Sequence, residues 1–384
     1  IMGLTNMTKE NFEVAVGDFY EMSGRLAEQY GLFWEKAVVQ PTSGEDPAAS
    51  VLSDFSAALQ EVGSAMLDNP NKLIADQMDL MKQQQELYQN TVLRFLGQTP
   101  DPIIKPDPSD RRFKNEEWDE NPVFDYIKQL YLIQGNSLMK MITDTDGLSD
   151  HTRQKVEYFV RQYINALAPT NFPTLNPAVI RKTLETGGSN LATGMDHLME
   201  DMEGSVKGSL NIAMTDTSAF QVGRNIAGPE LRDKGFDDFM LEGPIAAVDA
   251  IQKATGEKEV NAIGYCVGGT LLAATMAYLK KKRKAPIKSI TFLNTLLDFS
   301  EPGEIGVFIN ETAISALERQ MDLVGYYDGR QMAFSFSTLR ENDLFWSFFV
   351  NNYLMGERPA AFDLLYWNTD STNLPAAMHS FYLR

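Results

Sequence analysis

One cysteine occurs in the 384 residues, at position 266, and glycines frame it in the stretch Gly264-Tyr265-Cys266-Val267-Gly268-Gly269. A thiol attacks as its thiolate, and the first turn of a helix favours that anion with the positive end of the backbone dipole. A cysteine so placed is suited to nucleophilic catalysis. The surrounding residues have the pattern to place it there. Glu259 to Ile263 reads as a short strand and Thr270 to Leu279 as an apolar helix. The sulfur then sits on a tight strand-to-helix turn, with Gly264, Gly268 and Gly269 letting the backbone bend without a Cβ clash. The amide of Val267, the residue after the sulfur, is the candidate donor to an oxyanion. Local pattern leaves a second reading open, because a lone cysteine is also often a small buried hydrophobe.

A nucleophile between a strand and a helix, within G-x-C-x-G, matches the nucleophile elbow of α/β-hydrolases with cysteine in place of serine. Composition narrows the setting. The formal net charge is −18 and the pI about 4.7, which argues against nucleic acid or an anionic membrane as a partner. A hydrophobic content of 43% is enough for a buried core. A single cysteine excludes an intrachain disulfide framework and suits a reducing cytoplasm. The start of the sequence has no basic-then-apolar signal pattern, and no apolar run reaches the ~18 residues of a transmembrane helix. Metal and Walker-type nucleotide motifs are missing from the sequence, so neither a metal nor another cofactor is expected.

Three regions precede, support and contain the turn. Residues 1–96 read as amphipathic helices. Phe12, Val16, Phe19, Leu26, Tyr30 and Phe33 fall on one face, interrupted by Ser23, and Ile74, Met78, Met81, Tyr88, Val92 and Phe95 repeat the spacing. Such stripes fit either a helical pair packed on the rest of the protein or a surface for a partner or hydrophobic granule. A middle region, 97–227, opens with four prolines between Gly97 and Asp110, a linker candidate, and continues with helices over 124–143 and 149–167. Asn176, before Pro177, is a candidate cap for the next helix. The last region, 228–384, holds the turn, a second strand over Ile287 to Leu293, and an aromatic stretch that reads as a helical cap. The basic run Lys280 to Lys284 between the strands reads as a solvated helix C-terminus.

Many separated motifs, in order, resemble one family, the class I polyhydroxyalkanoate synthases. They are Asp110-Arg111-Arg112-Phe113 with Trp118 and Asn121-Pro122, Pro169-Thr170-Asn171-Phe172 with Asn176-Pro177, and Thr186-Gly187-Gly188. Thr215 to Asn225 and Gly264 to Thr270 follow, then Thr295-Leu296-Leu297-Asp298-Phe299, Arg340 to Leu344, and Trp367 to Pro375. The resemblance runs from about Asp110 to Arg384 and is weaker before that.

It implies an α/β fold with an α/β-hydrolase-like core and a helical cap, preceded by a mainly helical N-terminal domain. It also implies an acyltransferase that polymerises (R)-3-hydroxyacyl-CoA, chiefly 3-hydroxybutyryl-CoA, and releases CoA. By this resemblance Cys266 carries the acyl chain, a histidine base and an aspartate assist it, and the protein is a cytoplasmic homodimer at the polymer granule surface. The Tyr265 and Val267 pair looks like the short-chain class.

Two departures qualify the expectation. The family's aspartate and histidine follow the segment that ends here at Tyr382-Leu383-Arg384. Of the three histidines, His151 and His197 precede the turn, and His379 lies in a cap-like context that suits a structural role. Asp298 and Asp363 match family positions, but not that of the catalytic aspartate. In addition, Asn225-Ile226-Ala227 runs almost directly into Gly228-Pro229, where the family has a long stretch with the first core strands. The expectation is therefore an incomplete sheet, with one strand before the turn and one after it. The alternative function is a catalytically incomplete protein that binds the granule or an intact synthase. A thioesterase of the same fold is a third, less favoured reading.

Overall fold

A computed structural model describes residues 47–203, 228–358 and 372–384. The stripe over 12–33, the Thr215 to Asn225 motif, the junction at Ala227 and the Trp367 to Ser371 part of the last motif lie outside these described residues. The chain divides into two compact units. Among the described residues, one contains 52–203 and 336–358, the other 47–51, 228–335 and 372–384.

The first unit is helical. Its helices are α1 (Pro47–Asp68), α2 (Pro70–Phe95), α3 (Pro122–Thr143), α4 (Asp150–Ala166), α5 (Pro177–Thr186) and α6 (Ser189–Glu203). Starts are set by side chains that satisfy the otherwise unpaired first amides. Asn69 accepts from Lys72, Asn121 from Val123, Ser149 from Thr152 and Asn176 from Ala178, three of them just ahead of a proline at the first helical position. One apolar core is formed by Ala58, Val62, Ile142, Val156 and Val160.

A second set of contacts is polar. Arg112 Nη1 donates to the Tyr131 hydroxyl at 3.1 Å, to Asn165 Oδ1 at 3.0 Å and to Asn342 Oδ1 at 3.2 Å. Its Nη2 pairs with Asp110 at 2.8 Å. The proline-rich stretch before Asp110 is tied down, because the amides of Ile103 and Ile104 donate to Gln129 Oε1 on α3.

The second unit carries the sheet. In order come α7 (Ala246–Thr255), β1 (Val260–Tyr265), α8 (Val267–Lys281), β2 (Ile287–Leu293), α9 (Glu311–Val324) and β3 (Tyr326–Tyr327). Then follow α10 (Gly329–Leu339), β4 (Leu374–Pro375) and α11 (Ala376–Leu383). β1 and β2 are parallel, with Ala262 opposite Ile290, Ile263 opposite Thr291 and Tyr265 opposite Leu293. The right-handed β–α–β crossover geometry expected of such a pair lays α8 on one face. Val248, Leu272, Leu279 and Ile287 form the core there, with Val260, Ala262, Met276 and Ile290 packed against them.

Alternation along the strands puts Ile263, Tyr265 and Leu293 on the opposite face. That face is bare, Ile263 being 71% exposed. β3 and β4 form a separate antiparallel pair of two residues each. α8 ends where the sequence has its basic run. Arg283 takes a positive φ of 59° and the Lys284 amide bonds back to the Leu279 carbonyl.

Candidate active site

The sulfur-bearing residue is where the strain lies. Cys266 adopts φ 52°, ψ −128°, between the end of β1 and the start of α8. A positive φ on a non-glycine residue costs energy and persists only where its surroundings hold it. Here its amide donates to the Leu293 carbonyl at 3.0 Å, one step past the last β1–β2 pair. Its carbonyl accepts from the amide of Gly269 at 3.0 Å and that of Thr270 at 3.4 Å. The backbone is thus clamped on both sides of the Cα while the cysteine itself remains exposed. Val267 is the first residue of α8, so its amide belongs to the turn that has no preceding carbonyl to bond.

The three glycines differ. A Cβ on Gly264 would lie 2.5 Å from the Gly269 Cα, and one on Gly269 would lie 2.0 Å from Thr295 Oγ1. Strand, helix and the loop after β2 meet at those two positions with no room for a side chain. At Gly268 a Cβ would meet nothing within 4 Å. The loop after β2 is fixed by Thr270 Oγ1, which donates to the Leu296 carbonyl at 2.8 Å.

Sequence reasoning missed a neighbour of this turn. Tyr382, on α11, comes within hydrogen-bonding reach of the Thr270 side chain and within electrostatic range of Cys266. Burial holds its phenol above the usual value, and charge on Cys266 pushes the same way. Its ring packs edge-on to Phe299 at 5.7 Å and stacks with Phe236 at 6.5 Å, so aromatic residues flank the turn. A separation of 116 positions between Cys266 and Tyr382, with no shared periodicity, left no local signal for this contact.

The histidines are elsewhere or occupied. His379 is 6% exposed and stacked on Tyr327 at 4.6 Å, with its Nδ1 buried and unpartnered. Desolvation pushes its pKa down to about 4, so it is neutral at pH 7. His197 belongs to the first unit, where its Nδ1 lies 3.3 Å from the Asn352 carbonyl, and His151 is exposed on α4 of that unit. Asp298 is exposed and accepts from the Ser300 amide at 3.0 Å, which holds its carboxyl below the usual range.

Comparison with known proteins decides the family. Residues 109–230 match the poly-beta-hydroxybutyrate polymerase N-terminal family and residues 219–384 the alpha/beta hydrolase fold. The chain is 38% identical to the poly(3-hydroxyalkanoate) polymerase of Methylorubrum extorquens, covering 88% of this chain and 67% of that one. This chain belongs to the poly(3-hydroxyalkanoate) polymerase family. Against the polymerase subunit of Rhizobium meliloti (strain 1021) the identity is 35%, covering 94% of this chain and 70% of the relative. Against that of Cupriavidus necator it is 29%, covering 72% and 58%.

The fold is the α/β class, an incomplete α/β-hydrolase core with helical additions behind a helical N-terminal region. The chain spans about two thirds of the length of the Methylorubrum and Rhizobium relatives. The matched stretch is itself shortened. The Methylorubrum alignment runs over 406 residues yet uses 88% of a 384-residue chain. About 70 aligned positions therefore have no counterpart here, room for several strands of ~5–6 residues.

Proposed function

We propose that this chain is the nucleophile-bearing part of a polyhydroxyalkanoate synthase, an acyltransferase acting on (R)-3-hydroxyacyl-CoA, chiefly 3-hydroxybutyryl-CoA. The observation that carries the reading is the clamped, positive-φ cysteine, exposed at the head of a helix. In the first step the Cys266 thiolate attacks the acyl carbonyl carbon. The Val267 amide donates to the developing oxyanion, the C–S bond to CoA breaks, and CoA leaves as its thiolate. One thioester replaces another of similar energy, so the exchange is reversible. In the second step a monomer hydroxyl attacks the enzyme thioester, giving an oxoester and returning the Cys266 thiolate. That step needs a base for the hydroxyl proton.

His379, buried and neutral, is not arranged to take that proton from a group on Cys266. The open edges of the β1–β2 pair and the shortened alignment support a core whose remaining strands lie outside the residues described. Acyl loading therefore belongs to this chain, and chain elongation to a completed core. In that completed form the protein works as a homodimer at the surface of a cytoplasmic polymer granule.

The test is incubation of the purified chain with (R)-3-hydroxybutyryl-CoA, following CoA release and intact mass. The reading expects at most one CoA per chain, one added acyl group, and neither in Cys266→Ala. Acylation of Cys266→Ala would remove the assigned nucleophile. Sustained, cysteine-dependent release would show that a base is present, and no loading at all would remove the activity from this chain.

A further inference from the structure

Helix α2 is apolar on two sides. On one, Leu73, Leu80 and Leu87 recur every seventh residue, and Leu87, 1% exposed, is buried within the unit. The other side carries Ile74, Met78, Met81, Tyr88, Val92 and Phe95, each between 40% and 66% exposed. Their steps alternate four and three residues, with exposed Gln85 completing the series. An alternating four–three step is the seam of a coiled coil, narrower than the face a globular core uses.

The same seam occurs once more in the chain. Phe12, Val16, Phe19, Ser23, Leu26, Tyr30 and Phe33 follow the identical steps, each 62 positions before its counterpart, with the polar residue again fourth of seven. Residues 12–33 lie outside the described residues, and their pattern is read from sequence. A polar pair within an apolar seam fixes register, because sliding by one heptad would bury each polar side chain against an apolar layer. Flanking positions raise no like-charge conflict, since Lys82 on α2 and Glu13 on the other stripe are the only charges beside the seams.

We propose that residues 12–33 form a helix that seats parallel on this face of α2, with Ser23 in the same layer as Gln85. The chain length permits it. The seam of α2 is 31 to 32 Å long at ~1.5 Å per residue, and α1, with 22 residues, is long enough to carry the chain back between two parallel helices. An occupant from the same chain also acts at an effective concentration set by a short connection, which a separate partner lacks.

The experiment uses the full chain. With Cys266→Ala as background no native thiol remains, and Ser23→Cys with Gln85→Cys places one thiol on each seam at polar positions. Mild oxidation is expected to give an intrachain disulfide, seen as a mobility shift at monomer size that is independent of protein concentration. Ser23→Cys with Val92→Cys, two layers away, is expected to cross-link roughly tenfold less. Phe19→Asp added to the first pair is expected to abolish the cross-link. Three outcomes would overturn the proposal. They are interchain dimers from Gln85→Cys alone, which would give the seam to a second copy; equal cross-linking at Gln85→Cys and Val92→Cys; and no cross-link at either. None of these readouts depends on acyl transfer, so failure here and failure of the synthase reading are separable.

Discussion

The interior of the first unit and the sheet of the second treat their surroundings in opposite ways. In the first, buried charges are matched. Asp125, 3% exposed, pairs with Arg94 and with Lys128 at 3.0 Å, and also accepts from Gln129 at 2.7 Å. In the second, the strand pair is covered on one face by α7 and α8 and left open on the other, where Ile263, Tyr265 and Leu293 meet solvent. Charges paired inside a unit are settled by its own side chains, whereas a half-covered sheet holds its cysteine by local bonds and has apolar area still to bury. The difference separates what fixes the position of Cys266, which is local, from what would complete a reaction chamber, which is not.

The sharpest break of this contrast is Asp125→Ala. It takes one carboxylate from the buried Lys128 ammonium, which keeps Asp119 and the Trp118 carbonyl, and from Arg94, and is expected to destabilise the first unit by about 1–3 kcal/mol. Denaturant unfolding followed by tryptophan fluorescence reads it, because Trp118 and Trp346 both lie in that unit. A loss under about 1 kcal/mol would mean the buried charges do not act as a set.

Two buried side-chain atoms of the second unit have no hydrogen-bond partner, Asn310 Nδ2 and His379 Nδ1, and acid should find the second. His379 has a folded pKa of about 4 against an ordinary value of 6.5. Between those values the unfolded chain binds a proton that the folded chain refuses. Stability is therefore complete above pH 6.5, falls as pH drops toward 4, and changes no further with this group below it. The shift corresponds to roughly 3 kcal/mol. Glu318, held at about 2 by Arg384 and Ser380, acts in a lower window, below pH 4.5. Hydrogen exchange of α11 peptides at pH 7 and 5 measures the effect, and His379→Phe should flatten it. An unchanged slope in that variant would show that another group carries the acid sensitivity.

Two glycines two residues either side of Cys266 separate smaller effects. Gly264→Ala drives a Cβ into the Gly269 backbone and should cost about 1–3 kcal/mol. Gly268→Ala meets open space within α8 and should stabilise by up to about 1 kcal/mol through helix propensity. Exchange protection in β1 and α8 distinguishes them, and equal losses would mean the turn needs glycine for a reason other than space. The smallest effect belongs to the open face. Ile263→Ser should move stability by no more than about 0.5 kcal/mol, whereas a loss comparable to a core truncation would mean the face is covered in solution.

Much of this was legible in the sequence. The helices over 124–143 and 149–167 follow from apolar pattern, and Asn176-Pro177 announces the next helix start through capping chemistry that acts over two residues. The strand before Cys266, the helix after it and the second strand at Ile287 also follow from local pattern. Contacts that depend on distant partners were silent. Arg112 reaches Asn342 across 230 positions, and Tyr382 reaches the cysteine turn across 116. Periodicity tells a helix which face to bury without naming the neighbour. Nor did the glycine-framed motif reveal that the cysteine itself, rather than any of its glycines, takes the positive φ.

The paired strands also have outer rims. Apart from the bonds that join β1 to β2, each strand's other rim runs beside no third strand among the described residues. Main-chain groups along such a rim recruit any extended peptide regardless of its side chains. Purification would feel this as a solubility ceiling. Losses should grow with time and protein concentration, and an added strand that caps either rim should slow them without touching the thiol.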